Sequence, residues 1–123
     1  MNLIELSGIF CQNYLFCLKK ASHDLNITLS QSLCLITVPF NGVSQAILAK
    51  KLHLDISTLS RNLDKMIKMD LIKKANSKFD KRSFQITLTD KGYQLYMELI
   101  NIVESDLNIV FNSFDIDETD QMI

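Results

Sequence analysis

Proline occurs once and glycine three times in 123 residues, which argues against a turn-rich β sandwich and for helices. No apolar run approaches the roughly 18 residues that would span a bilayer, so no membrane partner is expected. The N-terminus, MNLIELSGIF, carries Glu5 and no basic leading segment, so it does not read as a signal peptide. Cysteine is scarce: Cys11, Cys17 and Cys34 form an odd set without CxxC spacing, as expected of a reducing compartment, and the cytoplasm is the expected location. His23 and His53 stand apart with no metal-ligand pattern around them, and neither a phosphate-binding glycine loop nor a nucleophile elbow is present. No catalytic residue, metal or cofactor is therefore expected. Internal repeats, low-complexity segments and linkers are also missing, so residues 1–123 are expected to form one domain.

What is present starts with 47% apolar residues, enough for a modest core. The net charge of −1 conceals an uneven distribution. Residues 50–91 hold eleven of the 13 Lys and Arg but five of the 14 Asp and Glu, so this block is +6 and the remainder −7. A basic block between acidic ends is a candidate polyanion footprint, or a solvated surface with uneven charge.

Apolar residues at 3, 6, 10, 14 and 17–18 predict a helix over 3–23, weakened by Gly8. A second helix is expected over 30–38, capped by Ser30 and stopped by Pro39, although Leu33–Val38 would also suit a buried strand. After the turn PFNG, Ser44 caps a short helix over 44–52 with Ile47, Leu48 and Leu52 inward. Asp55 caps another over 56–68. Two helices joined by three residues have the spacing of a helix-turn-helix. Strands are expected at 71–75 and 83–88, joined by the turn NSKFDKR, and a long helix runs from Thr89 to about 112. Thr89 and Gly92 do not complete a capping box, so a single side chain caps it. The acidic tail could start a last short helix.

On the helix over 56–68, Ile56, Leu59, Leu63, Met66 and Ile67 share one side. Ser57, Arg61, Lys65 and Lys68 lie opposite, with Thr58 and Asn62 flanking. Hydroxyls, an amide, a guanidinium and ammonium groups are the donors that read base edges and grip phosphates, so double-stranded DNA is the expected partner. Asp64 could hold Arg61 or Lys68 in place. The alternative is an ordinary amphipathic helix. The strands place Lys78, Lys81 and Arg82 on a projecting tip where Asp80 can orient Arg82, a geometry suited to a narrow minor groove. A solvated hairpin with a weak surface ion pair is the bland alternative. The N-terminus of the preceding helix, at Ser44 and Gln45, is expected near a phosphate.

LAKKLHLDISTLSRNLDKMIKMDLIKKANSKFDKRSFQITLTDKG, residues 48–92, resembles the winged helix-turn-helix of MarR-type transcription regulators. DKRSFQITLTDKG follows that family's wing pattern, an Asp-x-Arg tip, a strand, then Leu-Thr-x-x-Gly opening a long helix. LDISTLSRNLDKM resembles its recognition helix. The resemblance implies a mainly α fold with a small β ribbon: a winged helix-turn-helix over 30–92, flanked by dimerisation helices at 1–29 and 93–123. It places Ser57, Thr58, Ser60, Arg61, Asn62 and Lys65 in the major groove, and Lys78, Asp80, Lys81 and Arg82 on the wing, with Arg82 entering the minor groove. It further implies a homodimeric repressor on a pseudo-palindromic operator, with half-sites roughly 34–36 Å apart, and a small-molecule effector. Asp70 and His53 stand where such proteins usually have Gly, and both are expected to be tolerated. The stretch after Gly92 is short for two dimerisation helices, which shifts the expected burden onto the N-terminal helix and leaves open a winged-helix module that binds protein instead. Peroxide-sensing members carry a cysteine near the start of the first helix, where an ungapped alignment puts Ile4. Buried inert thiols are accordingly expected, with a redox role for Cys11 and Cys17 as the alternative.

Overall fold

The computed structural model describes residues 1–76 and 84–112. In chain order these form α1 (Leu3–Asp24), α2 (Leu29–Thr37), β1 (Val43–Ser44), α3 (Gln45–Leu52), α4 (Ile56–Lys68), β2 (Ile72–Asn76), β3 (Phe84–Leu88) and α5 (Asp90–Asn112). Helices dominate, and a three-stranded antiparallel sheet of order β1-β3-β2 supplies the ribbon. Arg82 and its neighbours Lys78, Asp80 and Lys81, the expected wing tip, lie outside the described residues, as does the tail after Asn112.

The expected helix at 30–38 begins earlier than Ser30. Thr28 is the N-cap, and its side chain accepts the Gln31 N–H (3.1 Å) while the Gln31 side chain accepts the Thr28 N–H (3.0 Å). This reciprocal capping box satisfies two orphan donors, whereas Ser30 could satisfy one at most. The residues that could have suited a strand are helical through Thr37, and Val38 is extended, as a residue before proline prefers.

β1 is a strand that periodicity did not indicate. It pairs Val43 with Ile86 and Ser44 with Gln85. Gly42 makes the turn into it at φ +92, a conformation in which a Cβ would also press on Thr87 Cγ2. β2 and β3 pair from Ile72↔Leu88 to Asn76↔Phe84. Ile86 is fully buried, Leu88 half-buried and Phe84 exposed.

One core joins the elements. Leu18 of α1, Leu35 of α2, Leu48 of α3, Leu59, Leu63 and Met66 of α4, Leu71, Ile72 and Ile86 of the ribbon, and Leu99 of α5 are all sealed from solvent. Burial on this scale supplies roughly 1.5–3 kcal/mol per large side chain. Three expected core residues are not in it. Ile47, Ile56 and Ile67 are 50%, 58% and 38% exposed. The buried stripe is narrower than the helical periodicity suggested: Leu48 and Ala49 seal α3, and Leu59, Leu63 and Met66 seal α4. α1 packs chiefly along α5, and both helices leave apolar residues exposed toward one end: Leu3, Ile4 and Phe10 on α1, Ile109 and Phe111 on α5.

Candidate nucleic-acid interface

Between α3 and α4 the chain turns sharply. His53 ends α3 in the left-handed conformation at φ 55, its N–H donating back toward Ala49 and Lys50, and the Leu54 N–H donates to Ala49 O at 3.0 Å. Asp70 ends α4 in the same conformation at φ 60. Neither position uses the expected glycine; each accepts the modest cost of a Cβ in this region because the helix-end carbonyls are satisfied.

Asp55 caps α4. Its Oδ2 accepts the Thr58 N–H (3.1 Å) and its Oδ1 accepts the Thr58 hydroxyl (2.5 Å). These two bonds, the hydroxyl's first, hold the Asp55 carboxyl below its ordinary pKa, with Arg61 a lesser contributor. A depressed folded-state pKa contributes stability that is complete above the ordinary value and is lost as pH falls through the depressed one. Asparagine caps comparably but does not titrate. In urea titrations carried from neutral to acidic pH, wild type is therefore expected to lose stability more steeply than Asp55→Asn, the two curves converging on the acid side. Parallel curves would remove the carboxylate from the cap's energetics.

On α4, Leu59, Leu63 and Met66 are fully buried, while Ser57, Arg61, Asp64, Lys65 and Lys68 are exposed. Thr58, Ser60 and Asn62 are half-buried. Asp64 does not hold Arg61 or Lys68: its Oδ1 lies 3.9 Å from Lys74 Nζ, across on β2. Arg61 and Lys65 stand one turn apart with no ion pair among the described residues. They line an open groove of about 390 Å³, with Ser30 and Gln31 from the start of α2 and Thr58 and Asn62 from α4. The α2 side of this groove was missing from the expected site, although the Thr28-x-x-Gln31 spacing could have located that helix start. Asn62 turns inward: its Nδ2 donates to the buried Cys34 Sγ at 3.3 Å.

Ser44 sits at the junction of β1 and α3, where its Oγ accepts the Ile47 N–H (3.2 Å). Its hydroxyl is thus engaged in capping, and Gln45 follows as the first helical residue. A second cavity, about 690 Å³, opens where the end of α2 and the Pro39–Phe40 turn face the start of α5; Ile36, Phe40, Asp90, Tyr93 and Tyr96 line it.

The cysteines divide. Cys17 and Cys34 are buried, as expected, but Cys11, on α1, is exposed. Burial pushes the Cys34 thiol up to about 11, opposed by the Asn62 hydrogen bond. Burial first, then the Asp106 charge, raises Cys17. Both thiols stay protonated at neutral pH and sheltered from reagents. Maleimide labelling read by mass spectrometry is expected to leave Cys17 and Cys34 unmodified in native protein and to reach both in denaturant. Rapid native labelling of either would contradict the burial.

Among the described residues no cluster of three or more His, Cys, Asp or Glu could hold a metal ion, and no helix is long and apolar enough to cross a membrane.

Two helices joined by a left-handed turn, the second with a cationic outer side, followed by an antiparallel ribbon, define a winged helix-turn-helix. The chain belongs to the SarA/Rot family of transcriptional regulators, whose family model matches residues 17–99. It is 32% identical over 114 residues, 91% of this chain and 73% of the relative, to the HTH-type transcriptional regulator SarZ of Staphylococcus haemolyticus. The fold is that of wild-type E. coli MarR, with TM-score 0.84 at 22% identity over 99% of this chain and 91% of that one. It is also similar to a mutant MarR of E. coli complexed with operator DNA (TM-score 0.74, 21% identity, 98% of this chain and 87% of that one). A mutant S. aureus MepR bound to an oligodeoxyribonucleotide is a further neighbour (TM-score 0.73, 22% identity, 99% and 91% covered).

Proposed function

We propose that this transcriptional regulator binds double-stranded DNA sequence-specifically as a homodimer and represses from a pseudo-palindromic operator. The observation that carries it is the exposed Arg61–Lys65 pair on α4, whose opposite side is locked into the core, so that the cations project from a fixed base. Ser57, Ser60 and Lys65 with Arg61 form the groove-facing set, Thr58 supports it through Asp55, and Ser44 and Gln45 approach the backbone. Lys78, Asp80, Lys81 and Arg82 contribute from the connection between β2 and β3. Residues 30–92 are the DNA-binding part. The apolar ends of α1 and α5, where Phe10 and Phe111 stack at 5.8 Å, pair with a second copy, so 1–29 and 93–123 form the dimerisation part. The cavity beside Phe40, Tyr93 and Tyr96 is the place for a small-molecule effector. The protein acts in the cytoplasm and catalyses nothing. A protein-binding module would centre on apolar and aromatic residues where α4 instead presents cations, and a thiol-sensing role rests on Cys11 alone.

Selection of bound sequences from a random duplex library tests the proposal. The expected product is a pseudo-palindrome with half-sites roughly 34–36 Å apart, bound with an affinity that falls steeply with salt. Recovery of no common sequence, with binding indifferent to salt, would overturn it.

A further inference from the structure

Asn62 flanks the exposed side of α4 by sequence and joins the base-reading set by family resemblance, yet it is half-buried with its amide nitrogen turned inward. Its amide nitrogen lies 3.3 Å from Cys34 Sγ. Cys34 is on α2, 28 residues away, and is fully sealed from solvent. An asparagine that reads adenine presents its N–H and C=O side by side at the base edge; here the nitrogen end of the amide faces into the protein. The contact also differs in kind from the other links of α4. Leu59, Leu63 and Met66 hold the helix by non-directional burial, and Asp64–Lys74 is a long surface pair. Asn62–Cys34 is a directional bond from α4 to α2, and it lies at the groove that Arg61 and Lys65 line. Rotation of α4 about its axis would swing Arg61 and Lys65 and break this bond.

We infer that Asn62 is a positioning residue: through Cys34 it fixes the rotation of α4, and thereby the aim of Arg61 and Lys65, and it does not itself read a base. This rests on the proposed DNA-binding function and assigns Asn62 a different part in it. Lost positioning blurs every base position together, whereas a lost base contact relaxes one position.

The test uses the full chain, the operator recovered by selection, a set of single-base-pair variants of it, and a random duplex. Asn62→Ala and Cys34→Ala are each expected to reduce the ratio of operator to random-duplex affinity by roughly five- to tenfold. The loss should spread over all positions of the half-site, and the double variant should lose no more than either single one. Asn62→Ala relaxing a single base position, or Cys34→Ala leaving the ratio unchanged, overturns the inference while leaving DNA binding intact. A wild-type chain that binds no duplex selectively overturns the DNA-binding proposal and this inference with it. A measurement on wild type needs no variant to fold. The side-chain amide resonances of Asn62, assigned by NMR in the free protein, should keep their positions when operator is added. A large shift of that NH2 pair would mark direct base contact and sink the inference.

Discussion

Gly92→Ala is expected to cost about 3 kcal/mol or more of folding stability, the reverse of what a glycine-to-alanine change normally does inside a helix. Gly92 is buried in the first turn of α5, and a Cβ there would collide with the Leu71 carbonyl oxygen and come within 2.9 Å of its carbon. No rotamer change can relieve a clash with backbone. The backbones meet because the turn before β2 is fastened to the start of α5. Thr89 N–H donates to Leu71 O (3.0 Å), the Thr89 hydroxyl donates to Asp70 O and accepts the Gly92 N–H (3.0 Å), and Lys91 Nζ donates to Met69 O (3.0 Å). Moving this junction would drag Leu71 and Ile72, both 2% exposed, out of the core. Gly8 is the control. It lies in α1, where an added methyl would meet nothing within 4 Å, so Gly8→Ala should gain up to about 1 kcal/mol from propensity. Urea midpoints for the two variants should shift in opposite directions; a neutral Gly92→Ala would mean that the Leu71 turn can move away from α5.

Particular elements show how far the sequence can be read. α4 was legible in full: Asp55 caps it, the apolar residues recur at helical spacing, and its bounds of 56–68 are those observed. The single-side-chain cap by Thr89 was legible for the same reason, whereas the turns at His53 and Asp70, both left-handed in the structure, were marked only by the glycines that the resembling family usually has there. β1 was not legible, because two residues carry no period and the strand exists only by pairing with β3 more than forty positions away. Ile47, Ile56 and Ile67 show a different limit. Periodicity tells which side of a helix a residue occupies, and not whether another element reaches far enough to cover it. Asp64 and Asn62 show a third. Their angular positions were read correctly, yet Lys74 and Cys34, the partners that claim them, lie on other elements.

Arg61→Ala is expected to weaken binding to the selected operator by roughly 1–3 kcal/mol, about five- to 150-fold, with far less loss on random duplex. Among the described residues the guanidinium has no ion pair, and the carboxylates of the α4 segment are engaged elsewhere. Asp55 gives both oxygens to Thr58, and Asp64 faces Lys74. Being exposed and outside the core, Arg61 should contribute within about 0.5 kcal/mol to folding, so the urea midpoint of the variant should stay near wild type. The loss would then belong to recognition. Arg61→Lys separates charge from shape: an ammonium keeps the attraction to phosphate but lacks the planar fork that meets two acceptors of guanine at once. Random-duplex affinity should survive that change while operator preference falls nearly as far as in the alanine variant. If lysine restored operator affinity in full, Arg61 would be a phosphate contact, and base reading by α4 would have to come from Ser57, Ser60 or Lys65.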